Sequence, residues 1–200
     1  MLENPIGEHM SAFQAVGLFL VSLLFTIILF TLWLRIAIRF FKLSAVNPVS
    51  QVVYKVTNPI LLPLHRVFKV SYKPGNPYDW MAFILIVFVE FLKIAMLSLL
   101  AFGTLMPISI FLVYVLSDLV IQPLQFLFYF IIIEVILSWV NPTLHHPVLS
   151  IIKTINRPFL QFGRYIIPDI SGFDFSPFVV LILLKVITLF IRFSLPWPLI

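Results

Sequence analysis

Cysteine is absent from the chain, charged residues make up only 10% of it, and histidine occurs four times. The first absence excludes disulfides, thioether-attached haem and Cys-ligated zinc or iron–sulfur sites. No HExxH, glycine-rich phosphate loop or nucleophile elbow is present either. His145 and His146 are adjacent, so on a helix they point to different faces, and His65 stands alone. Neither catalysis nor a metal or cofactor site is expected from these residues. The scarcity of charge excludes a soluble domain, which needs far more polar surface.

What the chain has instead is apolar length. It is 62% hydrophobic, with 22 phenylalanines and a mean hydropathy of +1.12. Ala12 to Leu34 carries no charge and exceeds the ~20 residues that cross ~30 Å of hydrocarbon. That run is also too long for a signal-peptide core, and no Lys or Arg precedes it. The pattern predicts an all-α membrane protein with four transmembrane helices, at about 12–41, 80–103, 108–140 and 177–197. Asp118 and Pro123 near the start of the third are expected to break or tilt it. The net charge of +5 comes from basic residues gathered in the two long connections, 42–79 and 141–176. This places those connections in the cytoplasm and both termini in the periplasm, and no nucleic-acid partner is expected.

The two halves repeat. A shift of 99 residues lays 35–69 on 134–168, with Pro48 on Pro147, Pro59 on Pro158 and Leu61 on Leu160; a shift of 95 then lays Asp79 on Asp174 and Phe83 on Phe178. The expected units are 1–103 and 104–200. Each holds two spans, so the copies enter the membrane from the same side as parallel tandem repeats, unlike inverted-repeat transporters.

Each long connection carries an amphipathic pattern. Val49, Val52, Val53 and Val56, and again Val148, Ile151, Ile152 and Ile155, recur at i, i+3, i+4 and i+7. Asn47 or His146 precedes a first-turn proline in each case. Pro59 and Pro158 are expected to break the chain and open a second helix. Arg66, Lys69, Lys153, Arg157 and Arg164 form a basic surface beside apolar residues, which suits helices lying in the cytoplasmic headgroup layer against anionic lipid. Asp79 and Asp174 stand where a carboxylate caps the next span, and Ser176 with Pro177 offers an alternative start.

Charges inside the spans are costly and therefore mark a structural clamp or a functional site. Glu90 lies eleven residues beyond Asp79, ~16 Å along a helix. Its repeat mate is Lys185, and the mate of Arg35 is Glu134. Opposite signs at equivalent depth predict contacts Glu90–Lys185 and Arg35–Glu134 across the pseudo-twofold axis, with Lys93 competing for Glu90 at i+3. Arg39 and Arg192 are expected to snorkel at span ends.

These residues resemble the YggT family of small bacterial membrane proteins, related to proteins of cyanobacteria and chloroplasts. The second copy carries the resemblance in Ser138, Trp139, Pro158, Arg164, Pro168 and "SGFDFSP" with Asp174, Ser176 and Pro177. The first carries it in Arg35, "NPVSQVVYKVT", Pro59, Arg66 and Asp79. Departures are Glu134 in place of the family's usual Arg, Gln161 for a basic residue, Lys69 for a proline, and Trp80-Met81-Ala82 for Ser-Pro. The resemblance implies a multi-pass protein of the bacterial inner membrane without enzymatic activity or cofactor. It implies a link to osmotic or envelope stress; taken with the interfacial helices, the expected role is that of an accessory or scaffold working with an unknown membrane partner. A transport role using Glu90 and Lys185, or a part in haem and cytochrome maturation, are the alternatives.

Overall fold

The computed structural model describes residues 11–69, 76–141, 143, 146–167 and 174–197. Six α-helices account for most of them: α1 (Ala12–Phe40), α2 (Pro48–Val67), α3 (Trp80–Phe102), α4 (Ile108–Val140), α5 (Pro147–Ile166) and α6 (Ser176–Phe193). No strand occurs among the described residues. Helices α1, α3, α4 and α6 are long and apolar enough to cross a membrane. At 1.5 Å per residue, 18 residues of α6 reach ~27 Å and 33 of α4 reach ~50 Å. The latter must project beyond the hydrocarbon.

Local chemistry explains where the helices begin. Ser11 and Gln14 form a reciprocal capping box at α1. Asn47 and His146 accept from Val49 and Val148, each followed by a first-turn proline. Asp79 Oδ1 accepts from the Ala82 N–H at 3.2 Å. The α6 helix starts at Ser176, whose N–H donates to Asp174 Oδ1 at 2.9 Å. α3 ends at Gly103, whose φ of +70° is a left-handed conformation that glycine adopts without strain.

Two expectations about prolines need correction. Pro59 and Pro158 do not open second helices; each lies inside one continuous helix, α2 or α5. The buried stripes run through them, Val53, Thr57, Leu61 and His65 in α2 and Ile152, Asn156, Leu160 and Gly163 in α5. Both prolines lie on the exposed face, so tertiary packing on either side offsets the lost intrahelical bond. Asp118 and Pro123 likewise leave α4 unbroken. Neighbouring helices re-satisfy such freed backbone groups in membrane bundles.

Each half is a hairpin, α1 against α3 and α4 against α6, with α2 or α5 laid across it; α3 and α4 join the halves. One cluster of buried residues, including Phe25, Leu29, Leu61 and Ile86, fills the first half. Another, including Leu127, Ile131, Ile155 and Val180, fills the second. Large apolar side chains such as Phe19, Ile84, Leu116 and Ile182 face outward, as lipid-facing surfaces require. The N-termini of α2 and α5 meet, where Asn47 Nδ2 donates to the Pro147 carbonyl at 3.0 Å and to Ser150 Oγ at 3.3 Å.

Candidate functional site

Two polar clusters lie inside the bundle. The first ties together α1, α2 and the start of α3. Arg35 is completely buried. Its Nε donates to Asp79 Oδ2 at 2.9 Å, and its Nη1 donates to Thr57 Oγ1 at 2.6 Å and Asn58 Oδ1 at 2.7 Å. Tyr54 presents its ring 5.0 Å from the guanidinium carbon. Arg39 Nη1 donates to the same Asp79 oxygen at 2.8 Å. Burial pushes the Asp79 carboxyl up, but the hydrogen bonds and charges of Arg39 and Arg35 outweigh it and hold the group below its ordinary value. This cluster is a staple that fixes three elements, with Arg35 Nη2 left buried and without a hydrogen-bond partner.

The second cluster lies between α3 and α4. Glu90 and Lys93, i and i+3 on α3, face Asp118 and Gln122, i and i+4 on α4. Lys93 Nζ pairs with Asp118 and lies 3.9 Å from Glu90 Oε2. The Gln122 amide nitrogen donates to Glu90 Oε1 and, at 3.0 Å, to Asp118 Oδ2. Glu90 is the eleventh residue of a 23-residue helix, near the middle of the span.

The repeat-mate contacts are therefore corrected. Glu90 meets Lys93, Gln122 and Asp118, whereas Lys185 is exposed on α6 with its ammonium 5.8 Å from the Phe128 ring. Arg35 meets Asp79, whereas Glu134 accepts from Asn156 Nδ2 at 2.7 Å. The reason is geometric: α3 packs on α1 and α4 rather than on its mate α6, and α1 packs mainly on α3 rather than on its mate α4, so a position and its mate lie on different interfaces. Arg39 does not snorkel; Asp79 holds it. Sequence reasoning treated Asp118 as a helix breaker and left Gln122 out. The signal for both was their i, i+4 spacing opposite Glu90 and Lys93.

The remaining sites lie toward the α2/α5 end. Arg66, Lys69, Lys153, Arg157 and Arg164 are exposed. Arg164 Nη2 bridges Asp174 at 2.6 Å. Burial raises the Asp174 carboxyl, but hydrogen bonds from Ser176 and Arg164 bring it below its ordinary value. Ser138 bonds its own helix at the Val135 carbonyl and Trp139 is exposed. Pro168 and His145 lie outside the described residues. An apolar cleft of about 290 Å³ between α1, α4 and α5, lined by Phe30, Trp33, Phe41, Phe130 and Phe159 among others, supplies shape and little polar chemistry. Among the described residues no group of three or more His, Cys, Asp or Glu side chains is placed to hold a metal ion.

Paired hairpins of apolar helices, each crossed by an amphipathic helix, define an all-helical membrane protein built from a tandem repeat. The model of the CCB3/YggT family matches residues 14–100 and again 111–195, and the chain belongs to that family. It is 30% identical over 173 residues to the "uncharacterized protein YggT" of Escherichia coli strain K12, covering 86% of each chain. It is 27% identical over 187 residues to an uncharacterized protein of Pseudomonas aeruginosa, covering 91% of each. A protein of Vibrio alginolyticus, described by its position in the proC 3' region, is 31% identical over 165 residues, covering 82% of this chain and 86% of its own. No solved structure matches.

Proposed function

We propose that the protein is a non-enzymatic accessory or scaffold of the inner membrane that supports envelope homeostasis or osmotic stress tolerance. In this reading it presents α2 and α5 to anionic lipid headgroups and to a membrane partner on the cytoplasmic side. The observation that carries it is the double character of those helices. Their inner faces are fixed to the bundle through Arg35–Thr57 and Glu134–Asn156. Their outer faces expose Val52, Val56 and Ile60 beside Lys55, and Phe162 and Tyr165 beside Arg157 and Arg164. Basic and apolar groups on one outer face suit the boundary between headgroups and acyl chains.

The experiment replaces Arg66, Lys153 and Arg157 together with Glu and inserts photo-crosslinking residues at Val56 and Phe162. Loss of crosslinks to anionic lipid and of survival after hyperosmotic shock, in a protein that remains folded, is expected. Unchanged survival and crosslinking would refute the scaffold reading. A second reading, ion or solute movement in osmotic adaptation, draws on the buried charges of α3 and α4; Lys185 has no place in it. Ion flux in proteoliposomes abolished by Glu90→Gln would favour it.

A further inference from the structure

Glu90, Lys93, Asp118 and Gln122 are only 0, 4, 3 and 5% exposed, at the junction of the two halves. We propose that this cluster is a binding site for one small monovalent cation, a proton or an alkali ion, inside the membrane. The inference concerns occupancy at equilibrium, so it stands or falls apart from any flux through the protein.

Charge balance is the first argument. Two carboxylates face a single ammonium, and the glutamine is neutral, so one negative charge is left over in a low-dielectric interior. Such a charge is not sustained there without a counterion. Among the described residues, no Lys or Arg of a neighbouring element supplies one. The only charged residues of α1 are Arg35 and Arg39, and Asp79 engages both. On α2, Lys55 and Arg66 are exposed, and so are Lys185 and Arg192 on α6. The rest of α4 offers Glu134, which is bound to Asn156, an exposed Tyr129, and Tyr114, whose hydroxyl donates to the Trp197 carbonyl at 2.7 Å.

Unsatisfied atoms are the second, independent argument. Glu90 Oε2 and Gln122 Oε1 are buried and have no hydrogen-bond partner. Both are acceptors. Gln122 has its amide nitrogen turned to the two carboxylates, which fixes its oxygen as a free acceptor. A buried orphan acceptor is costly, and what satisfies an acceptor is a hydrogen-bond donor or a cation, never an anion. With one negative charge left over, a proton or an alkali ion answers both needs at once, which a neutral water does not. Binding adds the ion to these oxygens and breaks no covalent bond.

The test uses the full-length protein in nanodiscs near neutral pH. Infrared difference spectra read the carbonyl band of a protonated carboxyl group, and thermal unfolding is followed in sodium, potassium or a bulky organic cation. If the ion is a proton, the wild type shows one protonated carboxyl. Glu90→Gln and Asp118→Asn each lose it, because each leaves one carboxylate against one ammonium; Lys93→Gln shows two. If the ion is an alkali cation, that band is missing, and sodium or potassium raises the Tm of the wild type but not of Glu90→Gln. Lys93→Gln replaces any variant too unstable to purify. A wild type with neither band nor alkali response overturns the proposal, as does a response that Glu90→Gln retains in full.

Discussion

The two copies place the same carboxylate in different electrostatic surroundings, so the same substitution must cost different amounts in each. Asp79→Asn keeps shape and an acceptor at the start of α3 but removes the charge that Arg35 and Arg39 share. The side chains of Arg35 and Asp79 are fully buried and that of Arg39 is 8% exposed. Removing one partner of a buried pair leaves an uncompensated charge and costs about 3–5 kcal/mol. Asp174→Asn in the second copy breaks a bridge whose Arg164 side chain is 53% exposed and whose Asp174 side chain is 32% exposed. Water screens that pair, and its loss should cost about 0–1 kcal/mol. The difference corresponds to roughly two orders of magnitude in the folded-to-unfolded ratio. Unfolding of detergent-solubilised protein by SDS titration, followed by tryptophan fluorescence, measures both variants. Combining Asp79→Asn with Arg39→Gln should recover part of the loss, since fewer unpaired charges remain buried. Equal costs for Asp79→Asn and Asp174→Asn would refute the reasoning, because burial would then not set the strength of the bridge.

Acid should act through the same residue. The folded Asp79 carboxyl lies below the ordinary value of 3.8, so its contribution is complete above that pH and is lost as pH falls from there through the folded value. A wild-type unfolding midpoint that drops below about pH 4, with a smaller drop in Asp79→Asn, is the expected result. Gly163→Ala should destabilise by about 1–3 kcal/mol: its Cβ would sit 2.8 Å from the Ser176 carbonyl oxygen and 2.8 Å from a Val180 methyl. That backbone oxygen can yield only if α5 and α6 separate, and a thermal melt reads the loss. Glu134→Arg should be tolerated within about 1 kcal/mol, because the buried Asn156 Oδ1 has no partner and would accept from the guanidinium. Arg35→Glu sets a carboxylate against Asp79 and should cost more than 3 kcal/mol, read by the same SDS titration.

The parts of the fold that were legible in the sequence are those decided locally. The four apolar runs differ from the observed helices by only a few residues, and Asn47-Pro48 and His146-Pro147 mark the starts of α2 and α5. The interior prolines were misread because their tolerance depends on Thr57, Leu61 and Asn156 being gripped by other helices, which no local pattern records. The site was half legible. Glu90 and Lys93 stand out as charges in an apolar helix, but which element covers them is a tertiary fact. The twofold argument paired mates that share depth, whereas contact requires a shared interface, and only α3 and α4 provide one between the halves' central charges.

The divergence of the copies has a physical logic of its own. Positions 35 and 134 touch positions 57 and 156 in both halves, as Arg35–Thr57 and as Glu134–Asn156. The contact persists while its chemistry reverses. A glutamate at 134 cannot serve the following carboxylate as Arg35 serves Asp79, since like charges repel in a poorly screened interior. The second copy draws its cation for Asp174 from Arg164 on α5, where the first copy has His65. The bridge thereby moves from the buried end of a span to an exposed helix, and α5 becomes the element that holds the entry to α6. Gly163, one residue before Arg164, permits the close approach that this requires; the first copy has Leu64 at the equivalent place. One copy is thus stapled through its transmembrane helix and the other through its amphipathic helix. Any partner that displaces α5 would loosen the second hairpin while leaving the first intact.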